Sequence, residues 1–95
     1  MAEIVRPEPF ERAFAEACSK NLWVKKFVAE LRGAFLKDSS FLPWGAVLYN
    51  SLEDLEVYST QSPGVRGVHA TLVFSRSGSG PGTVITFLDI RVSEG

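Results

Sequence analysis

The residues of this chain that could do chemistry are His69, its single histidine, then Asp89 and Arg91 near the far end, with Tyr58 upstream. A histidine beside an aspartate can be oriented and tuned for proton transfer. An arginine can stabilise charge developing on a phosphate, and a tyrosine can stack on a base. Together these types suit RNA binding or cleavage, so His69, Arg91, Asp89 and Tyr58 are the candidate catalytic residues. Arg66, Glu56 and Trp44 are candidates for binding. The alternative is that the polar residues form the solvated face of a one-sided antiparallel sheet, with His69 and Asp89 as an ordinary cross-strand pair.

Their placement depends on the strands that carry them. Val68, Ala70, Leu72 and Phe74 alternate with His69, Thr71, Val73 and Ser75, the period of a half-buried strand. A turn centred on Pro63-Gly64 would set Tyr58 opposite His69 and Glu56 opposite Thr71. A glycine-rich loop centred near residue 79 would set His69 opposite Asp89, and Gly67 opposite Arg91. Leu55 and Val57 would then join Ala70, Leu72, Phe74, Leu88, Ile90 and Val92 on the covered face. Glu56, Tyr58, His69, Thr71, Asp89 and Arg91 would gather on the open one, together with Ile85 and Phe87. The loop itself, SGSGPG at 77–82, runs into a strand with no lysine following, so it reads as a hairpin connection rather than a phosphate cradle.

The first half has a different period. AEIV at 2–5 suits a brief edge strand. Pro7 and Pro9 with Glu8 and Glu11 suit a helix start. Phe10, Phe14, Ala17 and Cys18 form one apolar stripe. Trp23, Val24, Phe27, Val28, Leu31 and Phe35 form a second, beyond a break at Lys20-Asn21. Residues 7–38 therefore read as a helical hairpin, with one long bent helix as the alternative. FLPWGAVLYN reads as a packed connector into a short strand at 46–49, followed by a strand over 52–60. Trp44 in that connector is either packed beneath it or an anchor for a partner.

The expected fold is α+β: a short N-terminal strand and a helical hairpin packed on one face of a three- to four-stranded antiparallel sheet, in one domain spanning 1–95. Ninety-five residues, 45% hydrophobic and 12% aromatic, suffice for one core. A net charge of −1 disfavours a nucleic-acid binder. One histidine, one cysteine and scattered carboxylates fall short of a usual metal-ligand set, and no cofactor is expected. No run approaches the roughly 20 apolar residues that span a bilayer, so a cytoplasmic chain is expected.

The order of elements resembles the RelE/ParE toxin superfamily. EIVRPEPFERAFAEA is similar to that family's opening strand and first helix, and GVHATLVF followed by TVITFLDIRVSEG to its last two strands. The resemblance implies a toxin of a toxin–antitoxin pair, acting on messenger RNA at the ribosome or on DNA gyrase. It places His69 where an arginine often stands, and Arg91 as the C-terminal basic residue. It also implies an antitoxin-like partner. The alternative from composition is a non-enzymatic interaction module that pairs with another chain or with itself through a sheet edge or helix stripe.

Overall fold

The structure, a computed structural model, describes residues 2–43, 45–52 and 54–94. It is an α+β fold with strand β1 (Glu3–Val5), helices α1 (Glu8–Lys20) and α2 (Trp23–Lys37), and strands β2 (Val47–Leu52), β3 (Leu55–Gln61), β4 (Val68–Ser77) and β5 (Val84–Glu94). The helical half is two helices. Asn21 closes α1 by donating its N–H to the Ala17 carbonyl, and α2 starts two residues later. Pro7 precedes α1 and Pro9 sits in its first turn, where the missing N–H costs nothing. Arg6 lies over Phe10 and Phe14 and pairs with Glu11 at 2.8 Å, holding β1 to the start of α1.

The sheet has five strands, ordered β1-β5-β4-β3-β2, rather than three or four, and it is mixed rather than antiparallel. β1 runs parallel to β5, pairing Glu3 with Val84 and Val5 with Thr86; the other pairs are antiparallel. The hairpin α1–α2 carries the chain from β1 at one edge of the sheet to β2 at the other, and β3 and β4 lead back until β5 lies beside β1.

Both helices cover one face. Their inward stripes, Phe10 and Ala17 from α1 and Val24, Val28, Leu31 and Phe35 from α2, meet Tyr58, Ala70, Leu72, Phe74, Ile85, Phe87 and Ile90 from the sheet. Two helices, each about 10 Å wide, span about four strands at 4.8 Å spacing. The fifth, β2, lies beyond their reach, and all six of its residues are exposed. Beyond the end of α2, Asp38 Oδ1 accepts the hydroxyl and the backbone N–H of Ser40. The Ser40 hydroxyl first, then its N–H, hold the Asp38 carboxyl below its ordinary range, with Arg76 adding to the effect. The connector is thereby turned back toward the sheet.

Two register features decide which side chains face which way. The β3–β4 reversal does not lie at Pro63-Gly64. It is a two-residue turn at Arg66-Gly67, closed by Val65 N–H to Val68 carbonyl (2.7 Å) and Val68 N–H to Val65 carbonyl (3.0 Å). Both central residues have positive φ, 54° and 77°, the geometry whose twist matches flanking strands. The second feature is a bulge between β4 and β5. Val73 faces Asp89 and Phe74 faces Phe87, so Leu88 has no opposite number.

Candidate functional site

These two features rearrange the expected cluster. With the turn at Arg66-Gly67, Tyr58 pairs with Phe74 and Glu56 with Arg76. Tyr58 therefore points to the helices. It is buried, stacked on Phe74 with ring centres 5.4 Å apart, and the Arg76 guanidinium lies 5.4 Å from its ring centre. Glu56 shares that side by register. Leu55 and Val57, expected in the core, lie on the open face instead. The bulge does the reverse for β5: Ile85 and Phe87 are fully buried, and Leu88 is exposed.

His69 does stand on the open face, but opposite Ser93 rather than Asp89. Its Nε2 lies 3.2 Å from the Ser93 hydroxyl. Asp89 lies four residues back along β5, about 13 Å away at strand rise. There its Oδ2 accepts the Arg91 Nε–H at 2.9 Å, and its Oδ1 accepts the N–H of Ile90. The expected His–Asp dyad is thus replaced by a His–Ser contact and an Asp–Arg pair. Arg91 remains a diagonal neighbour of His69, since it faces Thr71 on the same side of the sheet. Asp89 and Arg91 also line a groove of about 380 Å³ between α1 and β5, together with Glu16, Lys20 and Asn21. Its charges are of both signs.

Arg66 occupies the turn with its positive φ, a conformational role. Trp44 lies outside the described residues. Arg76, which sequence reasoning passed over, is held by backbone carbonyls and the Tyr58 ring. It donates Nη1 to the carbonyls of Phe41 (3.0 Å) and Ser39 (3.5 Å), tying the connector to β4. Burial pushes the Cys18 thiol up, against the opposing pull of Lys25 and Arg6. A protonated thiol is a poor nucleophile. Among the described residues no cluster of three or more His, Cys, Asp or Glu could hold a metal ion. Nor is any helix among them long and apolar enough to cross a membrane.

A strand does occupy the region expected at 46–49, as β2, but its setting differs from the expected one. VLYNSL was expected to belong in part to a packed connector. Instead Val47, Leu48, Tyr49 and Leu52 stand in solvent, Tyr49 at 77% exposure. Val47 faces Ser59 and Leu48 faces Tyr58, then a second bulge at Tyr49 shifts the register so that Asn50 faces Val57 and Leu52 faces Leu55. Val47, Asn50 and Leu52 therefore share the open face, where they continue the apolar surface of Leu55, Val57 and Val73. Leu48 and Ser51 are on the helix side. The open face is thus divided: apolar toward β2, polar toward Ser93, Arg91 and His69.

No protein-family model, no curated protein and no solved structure matches this chain. The reading of function rests on the geometry.

The sheet has two free edges, and they differ. β1 pairs only with Val84–Thr86, so β5 beyond Thr86 has an open side. That stretch carries Asp89, Arg91 and Glu94 and the Leu88 bulge, the devices by which natural sheets discourage edge pairing. The β2 edge has a bulge but no charge at all across VLYNSL.

Proposed function

We propose that this chain is a non-enzymatic protein-interaction module whose docking edge is β2. The observation that carries the reading is the exposure of every residue of an uncharged, largely apolar edge strand, VLYNSL. An edge strand offers unpaired N–H and C=O groups in a row, and alternate side chains add specificity. Tyr49, turned out by the bulge, is the residue type that anchors interfaces. The polar residues of the open face do not converge as a catalytic group needs, since His69 meets Ser93 and Arg91 meets Asp89.

The test is a photoreactive phenylalanine analogue placed at Tyr49, with Lys25 on the exposed face of α2 as the control position, irradiated in the cells that make the protein. The expected result is a discrete cross-linked adduct from position 49 and none from position 25. Equal labelling from both positions, or none from either, would count against a docking edge.

A second reading, a RelE/ParE-like toxin acting on messenger RNA or gyrase, draws on different observations. A first strand that leads into a helical hairpin pairs parallel with the last strand, and that last strand bears Arg91 diagonal to His69 on an uncovered face. This reading expects induced expression to arrest growth of a bacterial host, and the His69→Ala/Arg91→Ala double variant to relieve the arrest. Both side chains are at the surface, so the variant should fold. Arrest by wild type and variant alike would move any toxicity away from these residues.

A further inference from the structure

We infer that the strand that β2 receives is β2 of a second copy of this chain, joined antiparallel about a two-fold axis into a ten-stranded sheet. The inference rests on the docking-edge reading above and names its partner. Three observations carry it.

The first is charge. A symmetric pair sets each residue against a residue of the same strand, so any single-sign charge is brought near its own copy. VLYNSL has none. The β5 edge carries Asp89, Arg91 and Glu94, and a symmetric register centred on any one of them sets that charge against its own copy.

The second is register. Directly opposed residues in an antiparallel pair must share a face. In a regular strand Val47 and Leu52 would lie on opposite faces, being five apart. The Tyr49 bulge brings them to the same one, because Val47 faces Ser59 while Leu52 faces Leu55. A two-fold axis between Tyr49 and Asn50 then sets Val47 against Leu52 of the second copy on the open face. The same axis sets Leu48 against Ser51 of the second copy on the helix side. Every flanking pair matches in face.

The third is area. Val47, Leu48, Tyr49 and Leu52 are 51–77% exposed, and a pairing along one edge covers only the part of each side chain that faces the second copy, which places the interface at the small, weak end of specific ones. That size fits a micromolar dimer rather than an obligate one.

Analytical ultracentrifugation of the purified chain tests it. The wild type should be dimeric above about 10 µM. Val47→Lys or Leu52→Glu alone should each raise the dissociation constant at least about tenfold, by setting an unpaired charge against an apolar residue. Both sites are exposed, so the monomers should keep their fold, which circular dichroism would check. An equimolar mixture of the two variants should recover a heterodimer, through Lys–Glu pairing at one end and Val–Leu at the other. A dimer that survives both single substitutions overturns the β2 pairing. Dimers lost in both variants and not recovered on mixing overturn the two-fold register. A wild type that stays monomeric at about 100 µM overturns self-pairing. In that case an adduct from Tyr49 to a different polypeptide leaves the docking edge standing, and no adduct removes both readings.

Discussion

Phe35→Ala is expected to destabilise the fold by about 3–5 kcal/mol, the usual range for emptying a buried aromatic site. Phe35 is fully buried in the last turns of α2. It meets Phe74 of β4 with ring centres 5.0 Å apart, Phe41 of the connector at 5.6 Å and Phe87 of β5 at 6.3 Å. One side chain thus joins the second helix, the two central strands and the segment leading to β2. The inclined ring pairs add about 0.5–1.5 kcal/mol each beyond area burial, so the loss should fall in the upper part of the range. Domains of this size have about 5–15 kcal/mol in total, and the variant would forfeit a large share of it. Urea unfolding should show a lower midpoint at unchanged slope. Leu22→Ala, at a site 84% exposed between the helices, should stay within about 0.5 kcal/mol of wild type. A Phe35→Ala loss below about 1 kcal/mol would mean that α2 does not close on the sheet as described.

That core was legible before the structure because it rests on period alone. The α2 stripe Val24, Val28, Leu31, Phe35 repeats at helical spacing, and all four residues are buried. The helical hairpin, the brief first strand and the α+β class follow from the same kind of signal. Faces of strands are harder to read. Alternation says which residues go together within one strand, but the turn decides how strands match. Pro63-Gly64 is a loud turn signal, whereas Arg66-Gly67 is a quiet one, since arginine seldom adopts positive φ. Moving the reversal onto Arg66-Gly67 changed the parity, which carried Tyr58 and Glu56 to the helix side and Leu55 and Val57 to the open face. A single unmatched residue, Leu88, did the same to Ile85 and Phe87. Bulges leave no composition signature in either place. The candidate cluster was therefore the part most sensitive to the weakest signals. The exposure of β2 was illegible for another reason. Apolar text reads as core, and only the count of strands against helices reveals that one strand is left uncovered.

Gly78→Ala is expected to be the most damaging alanine substitution among the described glycines, at about 2–5 kcal/mol. Gly78 follows β4 directly and has φ +77°. A Cβ there would stand 2.4 Å from the Gly82 carbonyl oxygen and 3.1 Å from its carbon. Those are backbone atoms, which cannot swing aside as a side chain can. Gly82 is held in place because its N–H bonds the Ser79 carbonyl, while Thr83 bonds the Gly80 carbonyl through both its N–H and its hydroxyl. The Thr83 carbonyl in turn accepts the N–H of Glu3, so a shift in this loop reaches β1 and its parallel pairing. Left-handed backbone costs a non-glycine residue about 1–2 kcal/mol, and the forced displacement about 1–3 more. Gly80→Ala isolates the first term. Its φ is +56°, but nothing lies within 4 Å of the added carbon, so it should cost only about 1 kcal/mol. For a domain of this size the melting temperature should fall by about 10–25 °C for Gly78→Ala and about 5 °C for Gly80→Ala. Equal shifts would mean that the loop yields to the added carbon, and that SGSGPG is a compliant connection rather than a closed turn bracing the β4–β5 hairpin against β1.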